Sequence, residues 1–68
     1  MNLRLNGEWR ELPDGATVMH AVAVSGVPGM ARGVAVALDG EVVTRGQWQS
    51  TEIRDGQAVE ILQAVQGG

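Results

Sequence analysis

The sequence predicts an α+β fold, a small mixed sheet of four to five strands crossed by a single helix. Three observations carry that reading. The chain has 68 residues, which makes one small domain. Short alternations of apolar and polar residues recur along it, punctuated by Asn-Gly and Asp-Gly pairs, the pattern of strands joined by tight turns. Only residues 18–25 place apolar groups at helical spacing, and one helix is needed to cover the apolar face of such a sheet. The expected order is β-β-α-β-β-β.

Each element has its own signal. In residues 1–5, Met1, Leu3 and Leu5 alternate with Asn2 and Arg4, so one face of a strand is buried. Asn6-Gly7 follows, and both residues tolerate positive φ. Residues 8–12 return as the second strand. A two-residue turn would set Leu5 opposite Glu8; a longer loop would set it opposite Trp9. The longer loop buries more apolar surface and is the expected register. Pro13-Asp14-Gly15 is a turn cluster. Thr17 reads as an N-cap for a helix over 18–25, with Val18, Ala21, Val22 and Ser25 at helical spacing. Gly26 is placed to end it and Pro28 to stop it, leaving 26–33 as a loop.

Val34, Val36 and Leu38 alternate with Ala35 and Ala37. This is the most apolar strand and is expected at the centre of the sheet. Asp39-Gly40 turns it into a return strand, Glu41-Val42-Val43. Residues 44–51 are irregular, with Trp48 folded back as a plug. Asp55-Gly56 is a third turn. Residues 58–65 form the last strand, with Val59 and Ile61 on one face and Glu60 and Leu62 on the other. Residues 1–65 are thus one domain, and Gln66-Gly67-Gly68 is a flexible tail, since it has no side chain that could bury apolar surface.

Composition removes several function classes. There is no cysteine, so disulfides, thiolate zinc sites and a cysteine nucleophile are excluded. The formal charge is −3, with five arginines, no lysine and eight acids. The scattered Arg4, Arg10, Arg32, Arg45 and Arg54 form no basic patch in the sequence, so nucleic acid is not the expected partner. Without lysine there is no internal acceptor for an isopeptide bond. No secretory leader or long apolar run is present, so no membrane partner is expected. His20 stands without a cysteine or a serine–acid set and reads as a surface or core-edge residue. Glu8, Glu11, Glu41 and Glu60 read as a solvated face, because paired-carboxylate catalysis needs an enclosed cleft. No metal set and no phosphate-binding glycine loop is present, so no cofactor is expected and the chain is not expected to be an enzyme.

The informative feature is Gly67-Gly68 directly after the last strand. Glycine has no Cβ, so a backbone of glycines can approach catalytic groups in a narrow channel. The carboxylate of Gly68 is then the reactive group. Adenylation by ATP would give it a leaving group, and a sulfur nucleophile could displace AMP to leave a thiocarboxylate. The electrostatic work on triphosphate and Mg²⁺ would belong to a partner enzyme. The other reading is a frayed end. Leu62 and Val65, apolar and near the tail, are candidates for partner docking; the alternative is an ordinary solvent-facing leucine.

The segments LRLNGEWREL, DGATV, VAVALDGEVVTRGQW and IRDGQAVEILQAVQGG, in that order, resemble the ThiS family, the sulfur carriers of thiamine thiazole biosynthesis. The resemblance covers nearly the whole chain and departs most over residues 19–32, where family helices are richer in leucine. It implies a ubiquitin-like β-grasp fold and a cytoplasmic protein. It also implies adenylation of Gly68 by an E1-like (ThiF-type) adenylyltransferase. Sulfur would come through a cysteine desulfurase route and pass to a ThiG-type thiazole synthase. Gly67 and Gly68, preceded by Gln66, carry over as tail and covalent sulfur carrier. The small subunit of molybdopterin synthase shares fold and tail but is usually longer and richer in Phe, which this chain lacks. A non-covalent β-grasp binding module is the remaining alternative.

Overall fold

The computed structural model describes residues 1–27 and 33–63. Five strands and one helix follow each other in the expected order: β1 Asn2–Leu5, β2 Glu8–Glu11, α1 Val18–Ser25, β3 Val34–Leu38, β4 Glu41–Val43 and β5 Ala58–Gln63, with a 3₁₀ turn at Arg45–Gln47. The strands form one mixed sheet in the order β2-β1-β5-β3-β4. Only the β1–β5 pair is parallel; β1–β2, β3–β4 and β3–β5 are antiparallel. This is the ubiquitin-like β-grasp architecture, and the expected fold class holds.

Two expectations about the sheet change. The middle strand is β5, with β1 on one side and β3 on the other. Apolarity alone pointed to β3, but β3 is one strand removed from the centre and has the edge strand β4 beside it. The first hairpin also takes the tighter register. Leu5 lies opposite Glu8 and Arg4 opposite Trp9. Asn6 has φ 51 and Gly7 φ 84, and two successive positive φ values are what a two-residue turn matching the strand twist requires. The longer loop would have been favoured only if burying Trp9 were on offer. It is not, because β2 is an edge strand exposed along its whole length.

The helix has the expected bounds but not the expected cap. Thr17 takes the extended N-cap conformation and makes no side-chain capping bond. Tertiary carbonyls satisfy the first amides instead: Val18 N–H donates to the Thr51 carbonyl at 2.9 Å and Met19 N–H to the Trp48 carbonyl at 3.0 Å. Those bonds answer the orphan donors of the first turn and tie α1 to the segment after β4. Gly26, at φ 85, closes the helix in the left-handed conformation, which glycine enters without Cβ strain. The expected stop at Pro28 lies outside the described residues.

The core sits between α1 and one face of the sheet. Leu3, Leu5, Val36, Val59 and Ile61 meet Val18, Ala21 and Val22 there, closed at one end by Leu12, Ile53 and Trp48. Trp48 is the plug that the sequence predicts. It is 1% exposed, its indole N–H donates to the Val43 carbonyl at 3.0 Å, and the Arg45 guanidinium stacks over its ring at 4.8 Å. With no Phe or Tyr in the chain, this indole is the largest buried side chain. No buried side-chain polar atom among the described residues lacks a partner. No helix among them is long and apolar enough to cross a membrane.

Candidate functional site

Among the described residues, no helix covers the second face of the sheet. Directly opposed residues in a sheet point to the same side, so the register defines four cross-strand rows on that face. Three form a band, Trp9–Arg4–Ala58, Val42–Ala37–Glu60 and Ala35–Leu62, and the fourth is the polar pair Asn2–Glu11. Among the described residues, the three large apolar side chains that stand exposed lie in these rows: Trp9 at 61%, Val42 at 76% and Leu62 at 66%. The three alanines between them keep the surface low, so an opposing surface could approach the backbone closely. Arg4 lies over the Trp9 ring at 5.2 Å, and Glu60 supplies an acid in the middle row. The result is a flat, mainly apolar band across the sheet, of the kind that marks an interaction surface.

The sequence-predicted site residues fall on both sides of the described boundary. Leu62 is on the bare face, as the alternation of β5 requires. Val65, Gln66, Gly67 and Gly68 lie outside the described residues. Trp9 and Val42 were not predicted as part of a surface. Val42 could have been found from its place between Glu41 and the core-facing Val43, since neighbours in a strand point to opposite faces. His20 is half-buried on α1, and Glu8, Glu11, Glu41 and Glu60 are all exposed. No cluster of His, Asp or Glu suited to a metal occurs among the described residues.

Two polar side chains brace β5. The Asp39 carboxylate accepts from the Ala58 N–H at 2.8 Å and from Gln57 Nε2 at 3.0 Å, tying the β3–β4 turn to the start of β5. The backbone N–H of Ala58, then the Gln57 amide, hold its pKa below the usual carboxylate range. Further along, Asn6 faces Ile61. Ile61 N–H donates to Asn6 Oδ1 at 2.7 Å, and Asn6 Nδ2 donates to the Ile61 carbonyl at 3.2 Å.

A model of the ThiS family matches residues 3–68. The chain belongs to the ThiS family. Two solved structures are similar to this ThiS-family chain over its whole length. One is the crystal structure of a thiamine biosynthesis protein, ThiS, from Geobacter metallireducens; it is 34% identical, with 100% of both chains covered and a TM-score of 0.79. The other is a solution structure of a thiamine biosynthesis protein from the same organism, 34% identical, with 100% of this chain and 88% of that one covered and a TM-score of 0.78. A comparison with curated proteins gave no match. The ThiS-family match runs to the final residue, so the Gly67-Gly68 end is part of the matched length.

Proposed function

We propose that this chain is a sulfur carrier of thiamine biosynthesis, a protein co-substrate rather than an enzyme, loaded at the Gly68 carboxylate. The observation that carries the reading is a family match that extends through Gly67-Gly68. The carboxylate attacks the α-phosphorus of ATP in the active site of an E1-like adenylyltransferase, pyrophosphate leaves, and an acyl adenylate forms. Hydrosulfide, released by a thiol reductant from the persulfide of a cysteine desulfurase route, then adds to that carbonyl. AMP leaves, and the chain ends in a thiocarboxylate that donates its sulfur to thiazole synthase. The tail, residues 66–68, brings no side chain past Gln66, so a narrow channel can admit the backbone. Phosphate chemistry falls to the adenylyltransferase, whose Mg²⁺ and cations neutralise the triphosphate.

The docking surface in this reading is the bare face of the sheet. Leu62 anchors it, and Val65, near the tail in sequence, is the second docking candidate. Trp9 and Val42 extend it to the far strands. Aromatic and aliphatic anchors on a flat surface are where binding energy concentrates, and Arg4 and Glu60 add charges that fix orientation.

Intact-mass measurement tests the chemistry. Incubation with an E1-like adenylyltransferase, Mg·ATP and a sulfur source should give an oxygen-to-sulfur mass gain at the C-terminus. Deleting Gly68 should abolish it. Sulfur transfer by the truncated chain would contradict the proposal. Onward transfer to thiazole synthase, and none to a molybdopterin synthase large subunit, separates the thiamine pathway from its nearest alternative.

A further inference from the structure

β5 runs past the end of the strand that supports it. Alternation turns the backbone groups of Gln57, Val59 and Ile61 toward β1. Arg4 N–H donates to the Gln57 carbonyl and Asn6 N–H to the Val59 carbonyl, both at 2.9 Å. The next rung would need a residue of β1 beside Ile61. By then the chain has turned away through Asn6-Gly7 into β2. The side chain of Asn6 supplies that rung. Its amide presents an acceptor oxygen and a donor nitrogen side by side, as the two rungs of a peptide neighbour would, and each is used, at 2.7 Å and 3.2 Å. The left-handed φ of 51 at Asn6 is a conformation that Asn adopts more readily than most side chains. One residue therefore both makes the turn and closes the ladder. Two residues further on, β1 has nothing left to set beside Gln63, which is paired on its other side with Val34.

We propose that Asn6 is a positioning residue for the terminal carboxylate. Its side-chain amide pins β5 at Ile61, the last point gripped from both sides, and so fixes the origin from which the tail reaches into a partner's active site. The inference rests on the carrier reading of Gly68. Seven chain steps lead from Ile61 to Gly68, a reach of at most about 25 Å. Without the amide, the end of β5 is held from β3 alone. The carboxylate then samples a larger volume around a docked sheet face, and its effective concentration at the reacting phosphorus falls. Asn6 forms no part of the apolar rows but lines the same shallow depression as Arg4, Glu60 and Leu62, so any effect on docking is read separately, in KM.

The test is Asn6→Gly, which keeps the positive φ of the turn and removes the amide. The chain is assayed as the substrate of an E1-like adenylyltransferase by pyrophosphate release, and hydrogen exchange is followed at the Ile61 amide. The expected result is faster exchange at Ile61, a turnover number lower by roughly five- to tenfold, and a KM for the chain within about twofold of the original. Asn6→Asp keeps the acceptor for the Ile61 N–H and loses the donor, so it should fall between the two, including where Asn6→Gly folds poorly. Unchanged turnover despite faster exchange would overturn the inference, as would turnover and KM shifting only in proportion to unfolded material. If the unaltered chain is never adenylated, the carrier reading itself fails and takes this inference with it. Loading of the unaltered chain at the same rate as Asn6→Gly sinks only the role of Asn6.

Discussion

The two faces of the sheet are built from the same strands and do opposite things. On β5, Val59 and Ile61 point under α1 and are buried, while Glu60 and Leu62 point away and are exposed. On β4, Val43 is buried and Val42 is 76% exposed. On β1, Leu5 is buried and Arg4 is out in solvent over the Trp9 ring. An exposed apolar side chain gains nothing from folding, since its surface stays in water. The covered face therefore holds the molecule together. The bare face leaves apolar surface in water, free for docking on the carrier reading, and substitutions on the two should separate stability from binding.

The largest effect should come from the covered side. Trp48→Ala removes the biggest buried side chain and should cost about 3–5 kcal/mol. A domain this small has total stability of about 3–5 kcal/mol, so chemical denaturation should show it largely unfolded without denaturant. Leu3→Ala, beneath the helix at β1, should cost about 2–5 kcal/mol by the same measurement. A cost below 1 kcal/mol would mean that the site collapses around the cavity. Leu62→Ala, across the sheet, should leave stability within about 0.5 kcal/mol. Its effect should appear in binding to the adenylyltransferase, weakened by roughly five- to tenfold or more. If calorimetric titration finds binding unchanged, the bare face is not the docking surface.

The smallest effect belongs to neither face but to the rim. Asp39 has its folded-state pKa lowered by the Ala58 N–H and the Gln57 amide. Its contribution is fully present above the ordinary carboxylate value, about 3.9. Below that value the unfolded chain binds the extra proton first, so the contribution is lost as pH falls through the folded pKa. Asp39→Asn should flatten the acid limb of stability against pH, its small loss falling at neutral pH and vanishing in acid, as urea midpoints across an acid series would record.

Much of the fold is legible in the sequence because its cues are local. Asn6-Gly7, Asp39-Gly40 and Asp55-Gly56 mark turns by backbone chemistry, and alternation in 58–63 assigns each side chain to a face before any partner strand is known. The first hairpin misleads because burial and turn geometry compete there. An expectation built on burying Trp9 presumes a covered edge, and that depends on where α1 lies. The central position of β5 is likewise a property of topology. The clasp of Asn6 on Ile61 joins residues 55 apart, and no local pattern announces it. At the candidate site, Leu62 was legible from period two. Trp9 and Val42 join it only through the register that sets Arg4 beside Ala58 and Ala37 between Val42 and Glu60. Val65, Gln66, Gly67 and Gly68 rest on the sequence and the family.

The placement of the two indoles has a practical consequence. The chain contains Trp9 and Trp48 and no tyrosine, so its ultraviolet emission comes from one ring in solvent and one in the core. Trp48 should emit at shorter wavelength and shift to the red only when the polypeptide unfolds. Trp9 should be open to quenching by iodide and lose that sensitivity when another protein covers it. A single unlabelled sample would thus give two separate optical signals, one for integrity and one for capture.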